Sequence, residues 1–148
     1  MKKLLSVVLS FILVLSMLPA ASASEQGTVV SQQEIVLEDG IVIIDTLVVY
    51  ANARLLGKTA TRLHEIYVDD ILVGSIVLLG SFNYDGTTVT VTSMAVTQKD
   101  TYNGWNYVQN SLTSSGGTVT LNAKLTKLLV LNVPFTISIT CDANGKIS

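Results

Sequence analysis

From Gly116 to Cys141 apolar and polar residues take turns. Val119, Leu121, Ala123 and Leu125 alternate with Thr118, Thr120, Asn122 and Lys124. Leu131, Val133, Phe135, Ile137, Ile139 and Cys141 then alternate with Asn132, Pro134, Thr136, Ser138 and Thr140. A period of two predicts strands with one dry face. A slip of one residue would expose every apolar side chain of the pair and bury Lys124, so the phase is strongly fixed. Joined around Lys127 to Val130, the two runs predict a hairpin whose oily side needs an opposing surface.

The earlier chain supplies that surface. Glu34 to Glu38 reads as a short strand, and Asp39-Gly40 between two apolar runs is a hairpin turn. Ile41 to Tyr50 has the Ile, Val and Thr content of a strand. It is either covered on both faces or turns Ile41, Ile43, Leu47 and Val49 inward with Asp45 as the exception. Ala51 to Lys58 breaks the pattern and predicts a short helical turn ended by Gly57. Thr59 to Val68 is a strand with weaker alternation and charge along it, which predicts an outer position where Arg62 and His64 meet solvent. After Asp69-Asp70 comes Ile71 to Phe82, with Gly74 and Gly80 on its apolar side. Glycine there predicts a bulge or the close approach of another segment. Asp85-Gly86 turns into Thr87 to Thr97. Gln98 to Gly104 is a polar loop, Trp105 to Ser114 a further strand, and Ser115-Gly116-Gly117 leads into the last hairpin.

Seven to eight strands at roughly 10-residue spacing, with turn residues between them, predict an all-β fold. It is a single antiparallel β-sandwich, immunoglobulin-like, or a small barrel, over residues 35–148, with 24–34 as a flexible leader. No helical period of useful length, repeat or linker divides it.

Residues 1–23 predict a signal peptide. Lys2 and Lys3 precede the apolar Leu4 to Leu18, Pro19 ends the run, and Ala21-Ser22-Ala23 offers small residues at a cleavage site. The alternative is an uncleaved anchor, but the run is short of the ~20 apolar residues a spanning helix needs. Cleavage near Ala23-Ser24 predicts a secreted, extracellular chain of about 125 residues with no membrane anchor after cleavage.

Processing shifts the charge. Of nine basic and eleven acidic residues the chain keeps seven and eleven, a net of about −4. The acids are scattered, which disfavours nucleic acid as a partner. A lone cysteine, Cys141, excludes an internal disulfide. Its place on the apolar face predicts a buried thiol, with an intermolecular disulfide as the alternative.

The chemical inventory is thin. His64 is the only histidine, so one His and one Cys give zinc no ligand set. No G-x-S-x-G raises the case for a nucleophile, although a Ser/His/Asp arrangement can assemble in space. Asp69, Asp70, Asp85, Asp100 and Asp142 fall at turns where calcium ligands can gather, yet none sits in an EF-hand pattern and Asp-Gly is ordinary turn chemistry. The expectation is therefore no cofactor, no metal and no catalytic residue. Tyr102, Trp105 and Tyr107 flank Asn103-Gly104, and form either an aromatic binding surface or, for Trp105 or Tyr107, a plug at the end of the core.

The segments Gly104-Trp105-Asn106-Tyr107, Ser115-Gly116-Gly117-Thr118, Thr140-Cys141 and Gly145-Lys146-Ile147, with Thr46-Leu47-Val48-Val49-Tyr50 and the Tyr84-Asp85-Gly86 turn, resemble small secreted all-β proteins of Gram-positive, Clostridium-like bacteria. The resemblance covers most of the chain after residue 23. It implies fold and brings no catalytic or binding residues with it. The functional expectation is a secreted, non-catalytic module that binds an extracellular protein or glycan or serves the cell surface. The alternatives are a small secreted hydrolase or inhibitor and a self-assembling surface or fibre protein.

Overall fold

A computed structural model describes residues 26–51, 57–128 and 130–148. The expected signal segment and cleavage site and most of the expected helical turn lie outside the described residues. Eight strands follow one another: β1 (Thr28–Val36), β2 (Ile41–Ala51), β3 (Gly57–Val68), β4 (Ile71–Tyr84), β5 (Val89–Thr101), β6 (Asn106–Ser115), β7 (Thr118–Lys127) and β8 (Leu131–Thr140). They form a five-stranded sheet in the order β1-β2-β3-β4-β5 and a three-stranded sheet in the order β6-β7-β8, all antiparallel. Two sheets face each other, so the fold is a sandwich. Each sheet is a meander, whereas immunoglobulin domains use Greek-key connections. The likeness therefore extends to the layers and not to the strand order.

Turn chemistry sets the meanders. Asp39 and Gly40, Asp69 and Asp70, and Gly116 and Gly117 all take positive φ. Such pairs match the twist of the strands they join. The last hairpin keeps the predicted phase: Val119, Leu121, Leu125, Ile137, Ile139 and Cys141 are buried in one core. Leu131 departs from it and is exposed at the hairpin tip. On the facing sheet Ile43, Leu47, Ile66, Ile76, Leu78 and Phe82 complete the interior. Gly74 is needed for the contact between layers, because a Cβ there would lie 2.5 Å from Leu125 Cδ1 of β7.

Three expectations are corrected. The leader over 24–34 is strand from Thr28 onward, an edge strand exposed along nearly all its length. Its polar face reads as loose chain because an edge has little to bury. Thr59 to Val68 is not an outer strand: β3 is the centre of the five-stranded sheet. Its charges mark a buried pairing rather than an edge. Gly57, expected to end a helical turn, opens β3 instead.

Cys141 is buried and free, and its Sγ donates to the Asp142 carbonyl at 3.4 Å. Burial pushes its thiol up, Asp142 adds to this, and Lys58 opposes it. A thiolate-directed reagent is expected to label the native protein slowly and the denatured protein fast. Equal rates would place the thiol at the surface.

Candidate functional site

Antiparallel meanders send alternate turns to the same end of a sandwich. The β1–β2 and β3–β4 turns are joined by Asp69 N–H donating to the Gly40 carbonyl at 3.1 Å. The link from β5 to β6 lies beside them, with Tyr102 N–H on the Val73 carbonyl at 3.0 Å and Asn103 Nδ2 on the Leu72 carbonyl at 3.2 Å. Asn106 pairs with Thr126, which brings the β7–β8 turn to the same end.

That end is unusually apolar. Of the eleven large hydrophobic residues exposed among the described residues, seven are here: Val36 and Leu37, Ile71, Tyr102, and Leu128, Val130 and Leu131. Leu128 is 80% exposed and Val130 77%. Single exposed apolar residues are ordinary, but a cluster rimmed by polar groups marks a contact surface. The β1–β2 and β3–β4 turns at this end also carry the exposed acids Glu38, Asp39, Asp69 and Asp70. The tip of the last hairpin is where the strand alternation fails, and that failure was the sequence signal for it.

The aromatic trio does not form one platform. Tyr102 is exposed at this end, Trp105 is buried in the core, and Tyr107 is half-buried with its hydroxyl donating to Gln109 Oε1 at 3.1 Å. Trp105 thus closes the sandwich beneath the turn that carries Tyr102.

A second feature lies between the sheets. Asp45, the one acid on β2, faces Arg62 and His64 on β3. Its carboxylate accepts from Arg62 Nε and Nη2, both at 2.9 Å, and from Gln33 Nε2 of β1 at 3.1 Å. His64 Nε2 lies 3.1 Å from Asp45 Oδ1. Arg62 Nη1 reaches across to the Ser138 carbonyl of β8 at 2.7 Å, so the cluster ties the two sheets together. Burial raises the Asp45 carboxyl, but the hydrogen bonds and charge of His64 and Arg62 outweigh it and hold the group well below the usual carboxylate range. His64 is not the surface histidine its strand pattern predicts; only 6% of its side chain is accessible. The sequence signals were the one acid in β2 and the Arg62/His64 alternation, but their pairing depends on a register that the sequence leaves open.

His64 also lines an open cleft of about 440 Å³. Ile35, Leu37, Ile43, Pro134 and Phe135 give it apolar walls, and Asn110, Asn122 and Thr136 bring amide and hydroxyl groups. The His64 and Phe135 rings lie 6.2 Å apart at 51°. Thr136 Oγ1 donates to Asn122 Oδ1 at 2.8 Å.

The turn acids serve their turns. Asp85 Oδ1 accepts from the Thr87 and Thr88 N–H groups at 2.8 and 2.6 Å, and Asp142 Oδ1 accepts from those of Asn144 and Lys146, both at 2.9 Å. Among the described residues no three His, Cys, Asp or Glu side chains gather as a metal site. In comparisons with protein-family models, curated proteins and solved structures, the chain matches none of them.

Proposed function

We propose that this chain is a secreted, non-catalytic binding module that holds an extracellular protein partner at its apolar turn end. The observation that carries the reading is the gathering of Leu128, Val130, Leu131, Ile71, Val36, Leu37 and Tyr102 at one end. Four turns on a rigid scaffold present them, which is how loops usually carry binding. The exposed acids on the β1–β2 and β3–β4 turns favour a partner that brings basic residues beside its apolar surface. Export rests on residues 1–23 of the sequence. N-terminal sequencing of protein recovered from the medium is expected to begin near Ser24; an intact Met1 on membrane-bound protein would contradict secretion.

The test uses labelled mature chain and the outer surface of the cells that secrete it. Saturable retention is expected, weakened at least tenfold by Leu128→Asp with Val130→Asp. Both sites are exposed, so the fold should change by no more than about 0.5 kcal/mol. Retention that ignores the two substitutions would remove the turn end from the contact.

One observation favours a hydrolase as the second reading. An Asp–His pair beside a cleft is the supporting arm of a catalytic triad. However, Thr136, the hydroxyl residue in that cleft, has its Oγ1 engaged with Asn122. Turnover of generic ester, glycoside or peptide substrates that His64→Ala abolishes would establish this reading over the first.

A further inference from the structure

We infer that β1 is a dimerisation edge: it pairs antiparallel with β1 of a second copy of this chain, about a two-fold axis at Gln33, and joins the two larger sheets into one. The inference goes beyond the partner at the turn end and shares only Val36 with it.

It starts from the strands that end the two sheets, β1, β5, β6 and β8. An uncovered edge offers unpaired N–H and C=O groups to another chain, and natural sheets blunt it with bulges, lysine or proline. Three of these edges are blunted. β5 carries two bulges and the exposed Lys99. β6 is broken near its middle by the bulge at Asn110. In β8, Thr140 and Ser148 exchange backbone hydrogen bonds at 2.8 and 2.9 Å. The alternation of a ladder puts Ser138 and Pro134 on that same edge. Arg62 takes the Ser138 carbonyl at 2.7 Å, and Pro134 has no N–H to offer.

β1 differs. Its one irregularity is at Val30, which leaves residues 31–36 regular, with no Lys and no Pro among them. Leu37 N–H donates to the Ile41 carbonyl at 2.8 Å. By alternation Ile35, Gln33 and Ser31 bond to β2, opposite Ile43, Asp45 and Leu47. Gln32, Glu34 and Val36 therefore turn their N–H and C=O groups to the open side, and all three are exposed.

A row of alternating donors and acceptors is matched by another extended backbone. The sequence of β1 selects its own copy, because it is self-complementary about Gln33. A two-fold axis there sets Glu34 opposite Gln32 of the second copy, a carboxylate against an amide that can donate to it. It also brings Val30 and Val36, 52% and 69% exposed, together at each end of the pair. An axis at Glu34 would instead oppose two carboxylates, which is unfavourable. The small sheet packs over β3, β4 and β5, so a strand added beyond β1 meets no second layer. With the other edges blunted, the pairing closes as a dimer and does not propagate into a fibre. Antiparallel pairing points the two turn ends in opposite directions, so the dimer presents both.

The test is sedimentation of the chain from Ser24 onward across a dilution series. A monomer–dimer equilibrium is expected, with no larger species. Gln32→Pro removes an outward N–H and none that bonds to β2, so the fold is expected to remain. It acts on both copies and should weaken dimerisation roughly tenfold or more. The register is read by cysteine pairing. Gln33→Cys should give a disulfide-linked dimer under mild oxidation, because the two copies of residue 33 face each other. Ser31→Cys, which sits opposite Ile35 and not its own copy, should not. The native Cys141 is buried and takes no part. A monomer at every concentration, a dimer that a folded Gln32→Pro variant leaves intact, open-ended oligomers, or equal crosslinking from positions 31 and 33 would overturn the proposal. If Gln32→Pro does not fold, the two cysteine variants still decide. Because the retention assay reads Leu128 and Val130, a failure here leaves the protein-binding reading standing, and the reverse also holds.

Discussion

Asp45→Ala is expected to destabilise the protein by about 3 kcal/mol. Removing one partner of a buried ion pair costs roughly 3–5 kcal/mol because the other charge is left uncompensated. The low end applies here, since the Arg62 side chain keeps 20% of its surface and its bond to the Ser138 carbonyl. Replacing Asp45 and Arg62 together by Leu and Met should recover much of the loss, because the penalty comes from the unpaired charge more than from the pair. A double-mutant cycle in denaturant would measure the coupling. Single and double variants of equal stability would contradict the clamp. The same cluster gives a pH dependence. A depressed folded-state pKa means stability that is present above the unfolded carboxylate value of about 4 and is lost as pH falls below it. Asp45→Asn is therefore expected to flatten the acid limb of the stability curve; an unchanged limb would show that Asp45 gains little from its partners.

The second large effect belongs to Phe82. Its side chain is fully enclosed and lies against the backbone of Gly80, where a Cβ would meet Phe82 Cζ at 2.8 Å. Phe82→Ala is expected to cost roughly 3–5 kcal/mol, the usual range for emptying an aromatic site in a core. Asn83→Ala, one residue on and exposed, should cost about 0.5 kcal/mol or less. Comparable losses at the two positions would mean that both faces of β4 are covered there and that the two-layer description fails.

The contrast between neighbouring positions is also why much of the fold could be read from the chain. In β7 and β8 the dry face is set by local alternation, and every core position from Val119 to Leu125 and from Val133 to Cys141 follows it. The turns were legible because Asp-Gly, Asp-Asp and Gly-Gly pairs tolerate positive φ. What could not be read depends on partners distant in sequence. Arg62 and His64 look like edge charges until the register places Asp45 opposite His64. The cleft draws residues from β1, β2, β3, β7 and β8 and from the bulge at Asn110, so no window of sequence contains it. Of the aromatic trio, only Tyr102 reaches the exposed end, because Trp105 has more to gain in the core.

The turn end follows a different logic. Leu128, Val130 and Leu131 look like core residues by composition, but a hairpin tip cannot fold them back onto its own strands. Keeping them in water is unfavourable by about 25 cal/mol for each Å² that a partner could cover. Covering them is therefore the favourable step that binding at this end would supply. The residues there are exposed, so substituting them tests contact without disturbing the core.

The most direct test is site-specific photo-crosslinking. A photoreactive side chain would replace Val130 at the turn end and, as a control, Ser93 on the exposed part of β5. The protein would be incubated with the cells that make it and with their medium, and irradiated. The account predicts one discrete protein adduct from position 130, competed by unlabelled protein and lost with Leu128→Asp, and none from position 93. No adduct from position 130, or the same adduct from both positions, would contradict it.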